Sequence, residues 1–208
     1  MRSGGADATI SWANSIVRNE AYENKFKKRA FRRGIRIIGR FDPERAAAWA
    51  MEHVGQVYAV DAPRIVAGQL GSRDGRAAIQ WVGDHPSEEL REEAIREAFR
   101  TWFKSEDRSG AVEWLESETL TALHDPAIIF YAKELSDRAP EEAIVWCERL
   151  FDSERRLRCF NLAAPKWYQR DSVAAEEWLQ QSPLDEEARH AARTPQKKMR
   201  KRNRRPGI

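Results

Sequence analysis

Apolar positions along the chain recur with a long period, and tryptophan marks it. Trp49, Trp81, Trp114, Trp146 and Trp178 are separated by 32, 33, 32 and 32 residues. An alanine stands three positions before each: Ala46, Ala78, Ala111, Ala143 and Ala175. Seven positions before, four copies carry aspartate (Asp42, Asp74, Asp107 and Asp171), and Ala139 takes the place in the fifth. The unit is D-x-x-x-A-x-x-W, and repetition at this spacing is the signature of a stacked helical array.

The motif predicts the first helix of a hairpin. Aspartate is an N-cap, accepting from free amides of the first turn. Pro43 and Pro140 follow at the first helical position, where a missing N–H costs nothing. Alanine and tryptophan three apart share a face. The residue after each tryptophan (Ala50, Val82, Leu115, Cys147, Leu179) is apolar too, so the buried stripe is broad. Such a stripe suits a helix packed on its own partner and on the next repeat, with alanine allowing close approach and the indole filling the gap. The structural core therefore comprises Ala46, Trp49, Ala78, Trp81, Ala111, Trp114, Ala143, Trp146, Ala175 and Trp178.

A second helix follows in each unit. Leu70, Trp102, Leu135 and Trp167 each stand 21 residues after a repeat tryptophan, and Ala67, Phe99, Ala132 and Ala164 stand 18 after. Polar starts precede these helices at Asp61, Ser87, Asp125, Asp152 and Asp185. Counting backwards, residues from about 19 to 40 form the second helix of an earlier hairpin, with Trp12 in its first helix. The fold class is all-α: a right-handed α-solenoid of about five to six two-helix repeats with a period of about 32 residues. It covers residues 1–192, with incomplete first and last repeats, and a basic disordered tail covers 193–208.

Tandem hairpins of this length resemble the α-solenoid class that includes tetratricopeptide, Sel1-like and HEAT-like repeats, over residues 12–192. The tetratricopeptide pattern W-x-x-L-G-x-x-Y is not present. The D-P-x-x-A-x-x-W copy from Asp42 to Trp49 resembles short helical repeats of long bacterial proteins. The resemblance implies a scaffold or interaction surface and brings no catalytic residues.

Charge changes the picture more than composition does. Of 208 residues a third are charged, which suits an elongated repeat fold better than a sphere. The net +3 hides segregation: residues 18–40 hold nine bases against Glu20 and Glu23, and residues 41–192 hold 18 bases against 30 acids. From Arg193 onward there are eight bases and no acid. Chain order is thus basic, acidic, basic, so different surfaces attract different partners. Along residues 25–41 the reading places Phe26, Ala30, Gly34, Ile37, Ile38 and Phe41 on one helical face. Lys25, Lys28, Arg29, Arg32, Arg36 and Arg40 occupy the other, forming an amphipathic cationic helix able to meet phosphates, an anionic membrane or an acidic partner. In the tail, Lys197, Lys198, Arg200, Lys201, Arg202, Arg204 and Arg205 resemble the cationic arms of nucleic-acid-binding proteins.

Candidate chemistry is sparse. The sequence contains no Walker loop, dinucleotide fingerprint, nucleophile elbow or H-E-x-x-H. Gly68, Gly71 and Gly75 lack the preceding strand of a phosphate loop and read as helix-terminating and turn glycines. Glu187 and His190 have carboxylate-bridged metal spacing, but such a site needs a second pair and two further glutamates. His53, His85 and His124 fall at or beyond first-helix ends and read as capping or solvated. Cys147 and Cys159, twelve apart, indicate neither a disulfide framework nor a zinc site, which makes a reducing compartment the default and Cys147 a small buried hydrophobe. No signal peptide core or membrane-length apolar run is present, so the expected location is the cytoplasm.

These readings converge on a non-enzymatic helical-repeat scaffold, without metal or cofactor, that binds a protein or peptide partner. The alternative is an RNA- or DNA-binding protein using the cationic helix and the tail. The ends lack clear polar capping helices, so the chain is expected either to stack end to end with a copy of itself as a homo-oligomer or to be the C-terminal portion of a longer array.

Overall fold

The computed structural model of the protein describes residues 3–117 and 119–194. The described residues are all-helical, with no strand. In chain order the α-helices are α1 (Ser3–Val17), α2 (Asn24–Phe41), α3 (Pro43–Glu52), α4 (Ala62–Gly71), α5 (Gly75–Gly83) and α6 (Glu88–Phe103). They continue with α7 (Arg108–Ser117), α8 (Asp125–Leu135), α9 (Pro140–Glu148), α10 (Ser153–Arg170), α11 (Ser172–Gln181) and α12 (Glu186–Arg193). Short 3-10 turns at Val57–Ala59 and Ala122–His124 precede α4 and α8.

The repeat motif falls on α3, α5, α7, α9 and α11, and its aspartates cap them. Asp42 accepts from the Arg45 amide and Asp74 from the Ala77 amide, each at 3.0 Å. Asp107 accepts from the Gly110 amide at 3.2 Å, and Asp171 from those of Val173 and Ala174 at 3.2 and 3.1 Å. Where the fifth copy has Ala139, no side chain caps the helix, and Pro140 opens it instead. Of the five expected second-helix starts, Ser87, Asp152 and Asp185 cap by accepting from the Leu90, Arg155 and Ala188 amides, whereas Asp61 precedes α4 without a side-chain capping bond and Asp125 is the first residue of α8 itself.

All five repeat alanines are buried, as is the residue after every repeat tryptophan. The indoles are less uniform: Trp49, Trp114 and Trp146 are buried, whereas Trp81 and Trp178 are half-buried. Four of them touch rings of the preceding second helix. Trp49 lies 4.4 Å from Phe31 of α2, and Trp114 lies 6.0 Å from both Phe99 and Trp102 of α6. Trp146 lies 5.2 Å from Tyr131 of α8, and Trp178 lies 5.2 Å from Phe160 and 6.0 Å from Trp167 of α10.

The chain divides into two compact units, Met1–Phe130 and Tyr131–Ile208. In the first, α2 packs on α1, α3 and α4, and α4 packs on α3, α5 and α6. Closeness between α4 and α6 depends on Gly71, where a methyl group would overlap the Ala98 carbonyl oxygen. Gly75, first in α5, has the Trp102 ring lying where its Cβ would be. Gly71 and Gly75 stand at helix ends as expected, whereas Gly68 lies within α4; all three supply room, since positive φ occurs, among the described residues, only at Gly55. Across successive hairpins, Gln69 donates to the Arg36 carbonyl at 3.1 Å and Arg73 to the Arg40 carbonyl at 2.7 Å.

In the second unit α10 packs on α9, α11 and α12. The same backward reach recurs, with Arg170 donating to the Arg138 carbonyl and Lys166 to Ser136 at 2.7 Å. Lys166 also stands 2.7 Å from Asp137, whose carboxyl this bond holds below its ordinary range. Here the cysteine reading is corrected: Cys147 of α9 and Cys159 of α10 form a disulfide, with Cα atoms 5.6 Å apart. In this hairpin the twelve-residue spacing sets Cys147, near the end of α9, opposite Cys159 in the second turn of α10. Cys147 is buried as expected, but as half of a cross-link, so no free thiol pair points to a reducing compartment.

Candidate functional site

Helix α2 carries eight Lys/Arg and no acid across Asn24–Phe41. Its buried face is made by Ala30, Phe31, Gly34, Ile35, Ile38 and Gly39. This corrects the face read from sequence, since Phe26, Ile37 and Phe41 point to solvent, at 51%, 39% and 67% exposure. The difference is a rotation of roughly one residue, set by where α1, α3 and α4 press on the helix. Its consequence is an outer face that mixes cations with apolar rings.

The expected anionic-partner residues on α2 divide into two groups. Lys28 and Arg32 stand 3.2 and 3.5 Å from Asp61 of the α3–α4 turn, so that carboxylate draws on both. Lys25, Arg29, Arg36 and Arg40 are exposed and make no ion pair among the described residues. Lys197, Lys198, Arg200, Lys201, Arg202, Arg204 and Arg205 lie outside the described residues.

Beside the free arginines the fold assembles aromatic residues that the sequence did not group with them. Trp12 of α1, Tyr22 of the α1–α2 turn and Phe26 form a hollow of about 240 Å³ with Ile16, Arg29 and Arg33. Its rings are open to solvent, Trp12 at 42% and Tyr22 at 45%. The Arg33 guanidinium lies 6.0 Å from the Trp12 ring centre, within range of a cation–π contact. Arg29 and Arg33 also line an adjoining groove of about 550 Å³ with Arg32, Arg36 and Ile37. A ring-lined hollow thus opens beside an arginine-lined trough, with two arginines shared between them. Arg33, Trp12 and Tyr22 were not legible as a site because Trp12 and Tyr22 are separated from Arg33 by a helix end and a turn.

A second concavity, about 460 Å³, lies in the same unit where the α3–α4 and α5–α6 turns meet. Its walls are mainly apolar, including Val54, Val57, Val60, Pro63, Pro86 and Leu90. Val57 is 69% exposed at its lip.

Histidines line or neighbour these turns in structural roles. His53 caps α3, and its Nδ1 lies 2.9 Å from the Tyr58 hydroxyl. His85 is buried rather than solvated, and its Nδ1 accepts from the Ser87 amide at 3.2 Å. Burial lowers the pKa of both rings from the ordinary value of 6.5; Glu52 opposes this at His53, and Arg18 and Arg91 add to it at His53 and His85 respectively. His124 completes a capping box with Thr121. Glu187 and His190 of α12 gather no further ligands: among the described residues no group of three or more His, Cys, Asp or Glu side chains is placed to hold a metal ion. No helix of the described residues is long and apolar enough to cross a membrane.

Comparison with known proteins returns no match to a family model, a curated protein or a solved structure. The class of protein the chain defines is therefore stated from its own structure: an all-helical protein.

Proposed function

We propose that the protein is a non-enzymatic helical-repeat scaffold that binds a protein or peptide partner. Its hairpins would stack as a right-handed α-solenoid of five to six units in the manner of tetratricopeptide, Sel1-like and HEAT-like arrays. Supporting the repeat are the aspartate caps of α3, α5, α7 and α11 and the five buried alanines. Also in its favour is the recurring reach of Arg73 and Arg170 to carbonyls 33 and 32 residues earlier. Solution scattering tests the stacking. A compact body of this length has a radius of gyration of about 17 Å, and a solenoid should exceed about 20 Å.

The observation that carries the binding reading is the valine-rimmed concavity at the α3–α4 and α5–α6 turns. A contiguous apolar recess open to water marks an interaction surface, and its size suits one or two apolar side chains of a partner segment. Panning a random peptide library against the protein should enrich sequences with a shared apolar anchor. Their affinity should fall at least tenfold when Val57→Asp and Val60→Asp are combined. Absence of a consensus, or peptides indifferent to both substitutions, would remove this reading.

A further inference from the structure

We infer that the outer face formed by α1 and α2 binds single-stranded nucleic acid. A base would sit in the hollow of Trp12, Tyr22 and Phe26, and flanking phosphates would lie along Arg29, Arg33 and Arg36. This site is separate from the valine-rimmed concavity, so the two stand or fall independently.

Recognition of a single strand needs two surfaces side by side: flat rings for unstacked bases and cations spaced along the backbone. Both are present within one stretch of α2 and its approach from α1. The rings are exposed although each would lower its free energy by burial, and Arg29, Arg33 and Arg36 have no carboxylate partner among the described residues. Arg33 belongs to both surfaces, over the Trp12 ring and in the trough, which is where the link between a base and its phosphate would lie. Three features argue for a strand over the other anionic partners. The aromatic surface is concave, whereas an interfacial helix presents a convex apolar ridge to lipid. All four cations of the trough are guanidinium groups, whose fork matches phosphate. Duplex would hide its bases from the hollow, so stacking selects for the single-stranded form.

The test is fluorescence anisotropy of the full chain with a labelled mixed-sequence RNA 12-mer, its DNA counterpart, and the DNA duplex, from about 50 to 200 mM salt. Variants in the full chain keep the contribution of the basic residues beyond 194 constant. Trp12→Ala combined with Phe26→Ala should weaken single-strand binding about tenfold or more while leaving duplex binding unchanged, since both side chains are exposed and the helices keep their cores. Arg29→Ala, Arg33→Ala and Arg36→Ala together should flatten the slope of log affinity against log salt by about 2. Circular dichroism and melting temperature should match the parent in both variants. The inference is overturned by no measurable binding, by duplex binding as tight as single strand, or by an unchanged affinity in the aromatic variant. It is equally overturned if aromatic-dependent binding appears with polyglutamate or phosphatidylserine vesicles while oligonucleotides stay unbound, outcomes that assign the face to an acidic protein or to a membrane.

Discussion

Two glycines of one helix should respond to the same substitution with opposite sign. Gly75 opens α5 and Gly83 closes it, and neither has a positive φ, so backbone conformation does not separate them. Their surroundings do. A Cβ at Gly75 would fall inside the Trp102 indole, overlapping Cδ2 and Cε3, while one at Gly83 would meet nothing within 4 Å. The indole cannot swing aside freely, because Trp102 is buried and its Nε1–H donates to Asp107 at 2.7 Å. Forcing a methyl group into that contact costs about 1–3 kcal/mol by overpacking. Displacing the ring also loosens a charge-assisted hydrogen bond of about 1.5–3 kcal/mol. Against this, alanine gains up to about 1 kcal/mol over glycine in helical backbone. Gly75→Ala should therefore destabilise by roughly 1.5–5 kcal/mol, whereas Gly83→Ala should stabilise by up to about 1 kcal/mol. For a chain of this size, each kcal/mol moves the melting temperature by about 2–4 °C. Circular dichroism melts of both variants decide the matter. A Gly75→Ala protein as stable as the parent would refute the placement of Trp102 against α5, and with it the way α6 seats the next hairpin.

Other expectations follow from the same packing. Trp114→Ala should cost about 3–5 kcal/mol in urea unfolding because the indole is buried against Phe99, Trp102 and His124; a cost within about half a kcal/mol would contradict the repeat core. Removing the Cys147–Cys159 bond with reductant, or as Cys147→Ala with Cys159→Ala, should destabilise the second unit by about 3 kcal/mol. Alkylation of the unfolded protein without reductant, followed by mass spectrometry, should find no free thiol. Stability should fall as pH drops below about 6.5, because His53 and His85 have folded pKa values depressed by burial and the unfolded chain takes up protons first. Their contribution is complete above 6.5 and is lost down to the folded values. Melting temperatures from pH 7.5 to 5.0 should show a shallower decline in a His53→Gln, His85→Gln variant.

Local rules made much of this structure legible. Asp42, Asp74, Asp107 and Asp171 were identifiable as caps because a cap is settled by residues three positions away. The constant Ala–Trp spacing located the first helices, since register within a helix is also local. The contrast within the tryptophans was not visible: Trp81 and Trp178 share the motif of Trp49 but are only half covered, and coverage depends on neighbours far along the chain. The same limit explains α2. Its abundance of isoleucine and phenylalanine allows more than one buried stripe, and contact with α1, α3 and α4 selected Phe31 and Ile35 over Phe26 and Ile37. Cationic character of this helix was plain from composition. Its aromatic companions were not, because Trp12 and Tyr22 reach it only through the α1–α2 turn.

The bond between Cys147 and Cys159 has a consequence for mechanics. When a repeat array is pulled from its ends, hairpins peel away in turn and each releases its full extended length. In the α9–α10 hairpin the twelve residue steps between the cysteines are bypassed by the cross-link, withholding about 40 Å of contour that tension would otherwise release. In the proposed stack of hairpins this one would act as a stop, and in a single-molecule stretching trace it would be the short step among longer ones until a thiol reagent restored its length.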